Sequence, residues 1–134
     1  MSEVYDILFS WAVTLSGYPR IEPPIVEFKP KSFFVKEACK GNENCKVVGW
    51  FSGDNVVYVW EKLDIDGSQI AASIVVHEYV HYLQDLNGKY TKTCENIVEL
   101  EREAYGVQKE YLLRNGVFAN GVGISVTPMH CKKE

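Results

Sequence analysis

Apolar residues recur at helical spacing in three stretches of the chain. Val4, Ile7, Leu8, Trp11, Ala12 and Leu15 fall at the i, i+3, i+4 positions of an amphipathic helix over residues 3–16, which Gly17 and Pro19 stop. A second helix is predicted from about Gln69 to Leu86, with cap oxygens from Asp66-Gly67-Ser68 at its start and a left-handed exit at Asn87-Gly88. A third runs from about Cys94 to Arg114 and stops at Asn115-Gly116. Between them lie short β-prone runs. Ile25-Val26-Glu27-Phe28 follows the turn Glu22-Pro23-Pro24, while Lys46–Phe51 and Asn55–Trp60 flank Ser52-Gly53-Asp54, whose Gly and Asp tolerate the positive φ of a hairpin. Residues Ser32–Ala38 read as a short helix capped by Ser32. The pattern predicts an α+β domain: an N-terminal helix, a small, mostly antiparallel sheet, and two long helices. A single domain spans residues 1–134, with 117–134 as an extended, Gly-containing tail.

Composition narrows the partners. With 134 residues, 46% hydrophobic and 24% charged, the chain suits one compact core and neither disorder nor a fibrous repeat. A net charge of −4, with no basic cluster beyond Lys132 and Lys133, argues against a nucleic-acid partner. No apolar run approaches the ~20 residues that cross a bilayer, and the first residues show no basic region with a cleavage site, so neither a membrane span nor a secretory signal is expected in this chain. Cys39 and Cys45 enclose the turn-forming Lys40-Gly41-Asn42-Glu43-Asn44, which favours the pairings Cys39–Cys45 and Cys94–Cys131 over the alternative of four reduced thiols in a cytosolic protein. Paired cysteines would place the chain in a secreted or periplasmic setting.

The chemistry sits on the second long helix, at His77-Glu78-Tyr79-Val80-His81. Histidines four residues apart stand one above the other on one helical face, so both imidazoles can reach one Zn²⁺ at about 2.0–2.1 Å. Glu78 then points beside the metal, where a carboxylate can take the proton of an attacking water and pass it to a leaving amine. Unpartnered imidazoles would be costly among Ile74, Val75, Val76, Val80 and Leu83. A catalytic zinc also needs a third protein ligand. At about 3.6 residues per turn, Glu101 lies inside the apolar stripe of Leu100, Ala104, Val107, Tyr111 and Leu112, whereas Glu99, Glu103 and Glu110 fall on the opposite side. A carboxylate on an apolar face needs a cation, and the two histidines would hold one.

These residues resemble the gluzincin metallopeptidases, in which HExxH is followed on a later helix by a glutamate ligand roughly twenty residues on. Glu101 stands twenty residues after His81. Glu101-Arg102-Glu103-Ala104-Tyr105 is also similar to the ExEA segment of minigluzincins and ImmA/IrrE-type zincins, in which a sheet precedes the HExxH helix. The chain departs from that pattern at Tyr105, where an Asp or Asn often stands, so Asn96, Gln108 and Glu103 remain as candidate partners for the first histidine.

The resemblance implies a zincin-like fold with one zinc per chain on His77, His81 and Glu101. It implies peptide-bond hydrolysis with Glu78 as general base and acid, on a peptide or protein substrate; apart from the resemblance, a monomer is expected. It further implies a substrate lying antiparallel to an edge strand above the metal, for which Val57, Tyr58 and Val59 are the candidates. Tyr79, Tyr82, Tyr90 and Tyr105 are all available as donors to an oxyanion, while Tyr82 and Gln84 read as packing residues. In the tail, His130 or Cys131 could reach the metal and hold the enzyme latent. The rival expectation is a metal-binding regulatory module on the same scaffold with little or no proteolysis.

Overall fold

A computed structural model describes residues 3–91 and 93–118. Its elements follow the order α1 (Glu3–Ser16), β1 (Ile25–Lys29), α2 (Lys31–Glu37), β2 (Gly49–Phe51), β3 (Val56–Trp60), α3 (Gln69–Leu86) and α4 (Cys94–Arg114). The long helices begin and end where local chemistry dictates. Ser68 accepts from the Ala71 N–H at the start of α3, Thr93 does the same for Asn96 in α4, and Gly88 and Gly116 leave the two helices at positive φ. The short helix, expected over Ser32–Ala38, starts and ends one residue earlier. Pro30, not Ser32, precedes its first turn, and having no side-chain acceptor it provides no side-chain cap.

Helix α3 is the centre of the molecule. Ala72, Val75, Val76, Tyr79, Val80 and Leu83 are all buried, so α1, α4 and the sheet enclose it on several sides. Phe9 of α1 meets Tyr79 edge to face with ring centroids 5.2 Å apart, and Trp11 meets Tyr111 of α4 likewise at 5.5 Å. From the sheet, Val57 and Val59 face this core while Tyr58 alternates to the other side. There Phe33 of α2 packs against Tyr58 and Trp50, covering the outer face.

The sheet is mixed rather than mostly antiparallel. Its order is β1-β3-β2, with β1 parallel to β3 and β2 antiparallel to it. The Ser52–Asn55 turn makes the predicted hairpin of β2 and β3, with Gly53 and Asn55 at positive φ and Asp54 accepting from the Val56 N–H and the Tyr58 hydroxyl. The crossover from β1 through α2 brings β1 to the opposite side of β3. The strand carrying Val57, Tyr58 and Val59 is therefore central, not an edge, and the edge beside α3 is β2.

Cys39 and Cys45 form the predicted disulfide after α2, with Cα atoms 5.8 Å apart. Cys94 is also disulfide-bonded; Cys131, its predicted partner, and the predicted latch residue His130 lie outside the described residues. No described helix is long and apolar enough to cross a membrane.

Candidate metal centre

Facing turns of α3 and α4 bring three donor atoms together. Glu101 Oε1 lies 3.0 Å from Nε2 of His77 and 3.0 Å from Nε2 of His81, and the two Nε2 atoms are 3.1 Å apart. His77 is buried and the other two are partly so. A tetrahedral ion with bonds of about 2.0–2.1 Å separates its donors by about 3.3 Å, close to this triangle. The three residues predicted as ligands are thus near enough to hold one metal ion.

The hydrogen bonds behind the histidines determine what these donors present. The Ile70 carbonyl can only accept, so the Ser73 hydroxyl donates to it and its oxygen accepts from Gln108 Nε2. That leaves Gln108 Oε1 to accept from His77 Nδ1, at 3.0 Å. Gln84 is oriented in the same way. Its Nε2 donates to the Leu100 carbonyl at 2.9 Å and to Glu103 Oε1 at 2.8 Å, so its Oε1 accepts from His81 Nδ1 at 2.8 Å. Both imidazoles carry a proton on Nδ1, and two Nε2 lone pairs converge with a carboxylate oxygen. Such a cluster repels itself until a proton or a metal ion enters it.

The electrostatics agree. Burial lowers the His81 pKa, but the hydrogen bond to Glu101, the charges of Glu78 and Glu101, and the bond to Gln84 together raise it to about 9. Burial raises the Glu101 pKa, yet hydrogen bonds from both histidines and their charges hold it well below the ordinary carboxylate range. Both shifts stabilise positive charge at the point where the donors meet.

Residues behind the triad were only partly legible. Gln108, one of three candidates, supports His77. Asn96 instead closes the loop before α4, accepting from Thr91 and donating to Lys89. Gln84, expected to pack around the helix, instead accepts from His81 Nδ1, and its position three residues after His81, on one face of α3, is the available signal. Glu103 is not turned to water as the wheel implied, because Gln84 and the Tyr18 hydroxyl, at 2.7 Å, both donate to it. Replacing either glutamine by alanine is expected to weaken metal binding about 10–100-fold. Titration against a chromophoric chelator checks this, and unchanged affinity in both variants would remove the orienting role.

Glu78 lies beside the triad with no hydrogen-bond or ion-pair partner among the described residues, in a cleft of about 790 Å³ between β2 and α4. Gly49 of β2 crosses directly over it. A Cβ there would stand 2.9 Å from Ile74 Cγ2 and 3.3 Å from Glu78 Cγ. Gly49→Ala is expected to displace β2 and cost about 1–3 kcal/mol of stability. Urea unfolding measures that loss, and a variant as stable as wild type would show that the gap closes freely.

The four tyrosines separate clearly. Tyr79 is buried against Phe9, and Tyr82 donates to the Glu22 carbonyl. Tyr90 and Tyr105 line the cleft. Val57, Tyr58 and Val59, expected to contact substrate, do not line it. No family profile, curated protein or solved structure matches the chain.

Proposed function

We propose that the protein is a zinc-dependent metallopeptidase of the gluzincin kind. The observation that carries this reading is the convergence of two Nδ1-protonated histidines and one carboxylate on a common point, with an uncommitted Glu78 beside it in an open cleft. Zinc bound by His77, His81 and Glu101 would supply Lewis acidity at neutral pH and lower the pKa of water in reach from 15.7 to about 7. Glu78 takes the proton of the attacking water and delivers it to the departing amine. Its freedom from competing partners suits a group that must accept and release a proton in one turnover.

The substrate segment docks on β2. Trp60 N–H donates to the Val48 carbonyl, so Val48 and Trp50 bond to β3 while Gly49 and Phe51 turn their backbone groups to the free edge. An extended peptide can pair with those groups. Gly49 brings that edge against Glu78. The disulfide favours an oxidising compartment for this activity.

Incubating the zinc-loaded chain with a mixed peptide library, read by mass spectrometry, tests the proposal. Cleavage that a chelator abolishes and zinc restores is expected. An intact library over a protein that holds one zinc would favour the regulatory metal-binding module instead.

A further inference from the structure

Tyr105 stands four residues after Glu101, one turn further along the cleft face of α4, where its ring lies against the His77 imidazole with centroids 4.4 Å apart. In the pattern this chain resembles, that position often holds an Asp or Asn. Here Gln108, another three residues on, has taken over support of His77 Nδ1. The side chain at 105 is thereby released from orienting a ligand and lines the cleft, where the charges of both Glu101 and Glu78 reach its phenol.

Hydrogen bonding distinguishes it from the other tyrosines. Tyr18 donates to Glu103, Tyr58 to Asp54, Tyr82 to Glu22 and Tyr111 to Gln69. Tyr5 and Tyr79 are buried in the core. Of the two in the cleft, Tyr90 is 52% exposed, whereas Tyr105 is half-buried, held by a long helix and by His77, with no hydrogen bond from its hydroxyl among the described residues. A neutral phenol fixed beside a metal triad is preorganised to donate to an oxygen that becomes negative there.

We propose that Tyr105 is a catalytic residue that donates a hydrogen bond to the tetrahedral oxyanion of amide hydrolysis. The assignment rests on the metallopeptidase reading above. As the water oxygen bonds to the carbonyl carbon, the C=O π pair moves onto the carbonyl oxygen, and the Tyr105 O–H donates to it without losing its proton. Collapse re-forms C=O and breaks C–N, while the nitrogen takes its proton from Glu78. Tyr105 ends each turnover as it began.

The test uses the cobalt(II)-loaded full chain and phenylphosphonate, a stable tetrahedral oxyanion, titrated by visible absorption. Tyr105→Phe keeps the ring, so metal content and the cobalt spectrum before titration should match wild type, while the phenylphosphonate Kd rises about tenfold or more. Tyr58→Phe, on the outer face of the sheet and away from the cleft, should leave that Kd unchanged. An unchanged Kd in Tyr105→Phe, loss of metal from that variant, or no phosphonate binding by the loaded wild type overturns the proposal while leaving the metal centre standing. A wild-type chain that takes up no cobalt or zinc overturns both.

Discussion

Glu101→Ala is expected to strip the protein of stoichiometric metal. Wild type should carry about one zinc per chain by elemental analysis, and the variant should bind it roughly 10²–10³-fold more weakly. The magnitude follows from apparent zinc-binding free energies of about 10–16 kcal/mol shared among four ligands, or roughly 2.5–4 kcal/mol each. Glu101 is also the only carboxylate in the donor triangle, so its loss removes the one carboxylate in hydrogen-bond reach of both histidines. Glu99, exposed on the far side of α4, is the control, and Glu99→Ala should bind zinc as wild type does. Glu103→Ala should fall between them, since Glu103 reaches the metal only through Gln84 and His81. Equal zinc retention in Glu101→Ala and Glu99→Ala would dismiss the ligand set.

The second large effect belongs to Glu78→Gln. The amide has nearly the shape of the carboxylate and sits under the same Gly49, so fold and zinc content should be preserved. It cannot accept a proton at neutral pH, and general-base catalysis contributes about 10²–10⁴-fold. Library cleavage should fall by that factor with metal content unchanged. A variant that cleaves at the wild-type rate would move the base to another residue.

Much of this architecture was legible along the chain. Each long helix announces itself by a periodic apolar stripe between cap residues, and those are interactions within a few residues of one another. The HExxH spacing belongs to the same class, because one helical turn alone stacks His77 over His81. Placing Glu101 on the inward flank of α4 needed only the helical period. The disulfide between Cys39 and Cys45 closes over a turn whose residues already favour it.

What local order could not carry was pairing between distant segments. Hairpin chemistry at Ser52-Gly53-Asp54 joins β2 to β3, but nothing near Ile25–Phe28 states that β1 returns parallel to β3 on its other side. That one pairing turns β3 from an edge into the centre and moves the free edge to β2. The glutamines show the same limit. Gln84 is correctly placed by its own helix to meet His81, yet what orients its amide is a carbonyl and a carboxylate of α4. The wheel put Glu103 on the wrong side of the protein because it treats a flank as solvent, whereas Tyr18 and Gln84 reach it from neighbouring elements.

By itself, then, the sequence determined the helices, their ends, the two stacked imidazoles and the carboxylate that joins them, since helical period and capping act over a few residues. The packing of α3 against α4 and the order of the strands decided which nitrogen of each histidine faces inward. They also decided which tyrosine enters the cleft and which strand edge lies open above Glu78. Those outcomes rest on hydrogen bonds and contacts between segments many residues apart, whose partners exist only once the chain has closed around α3.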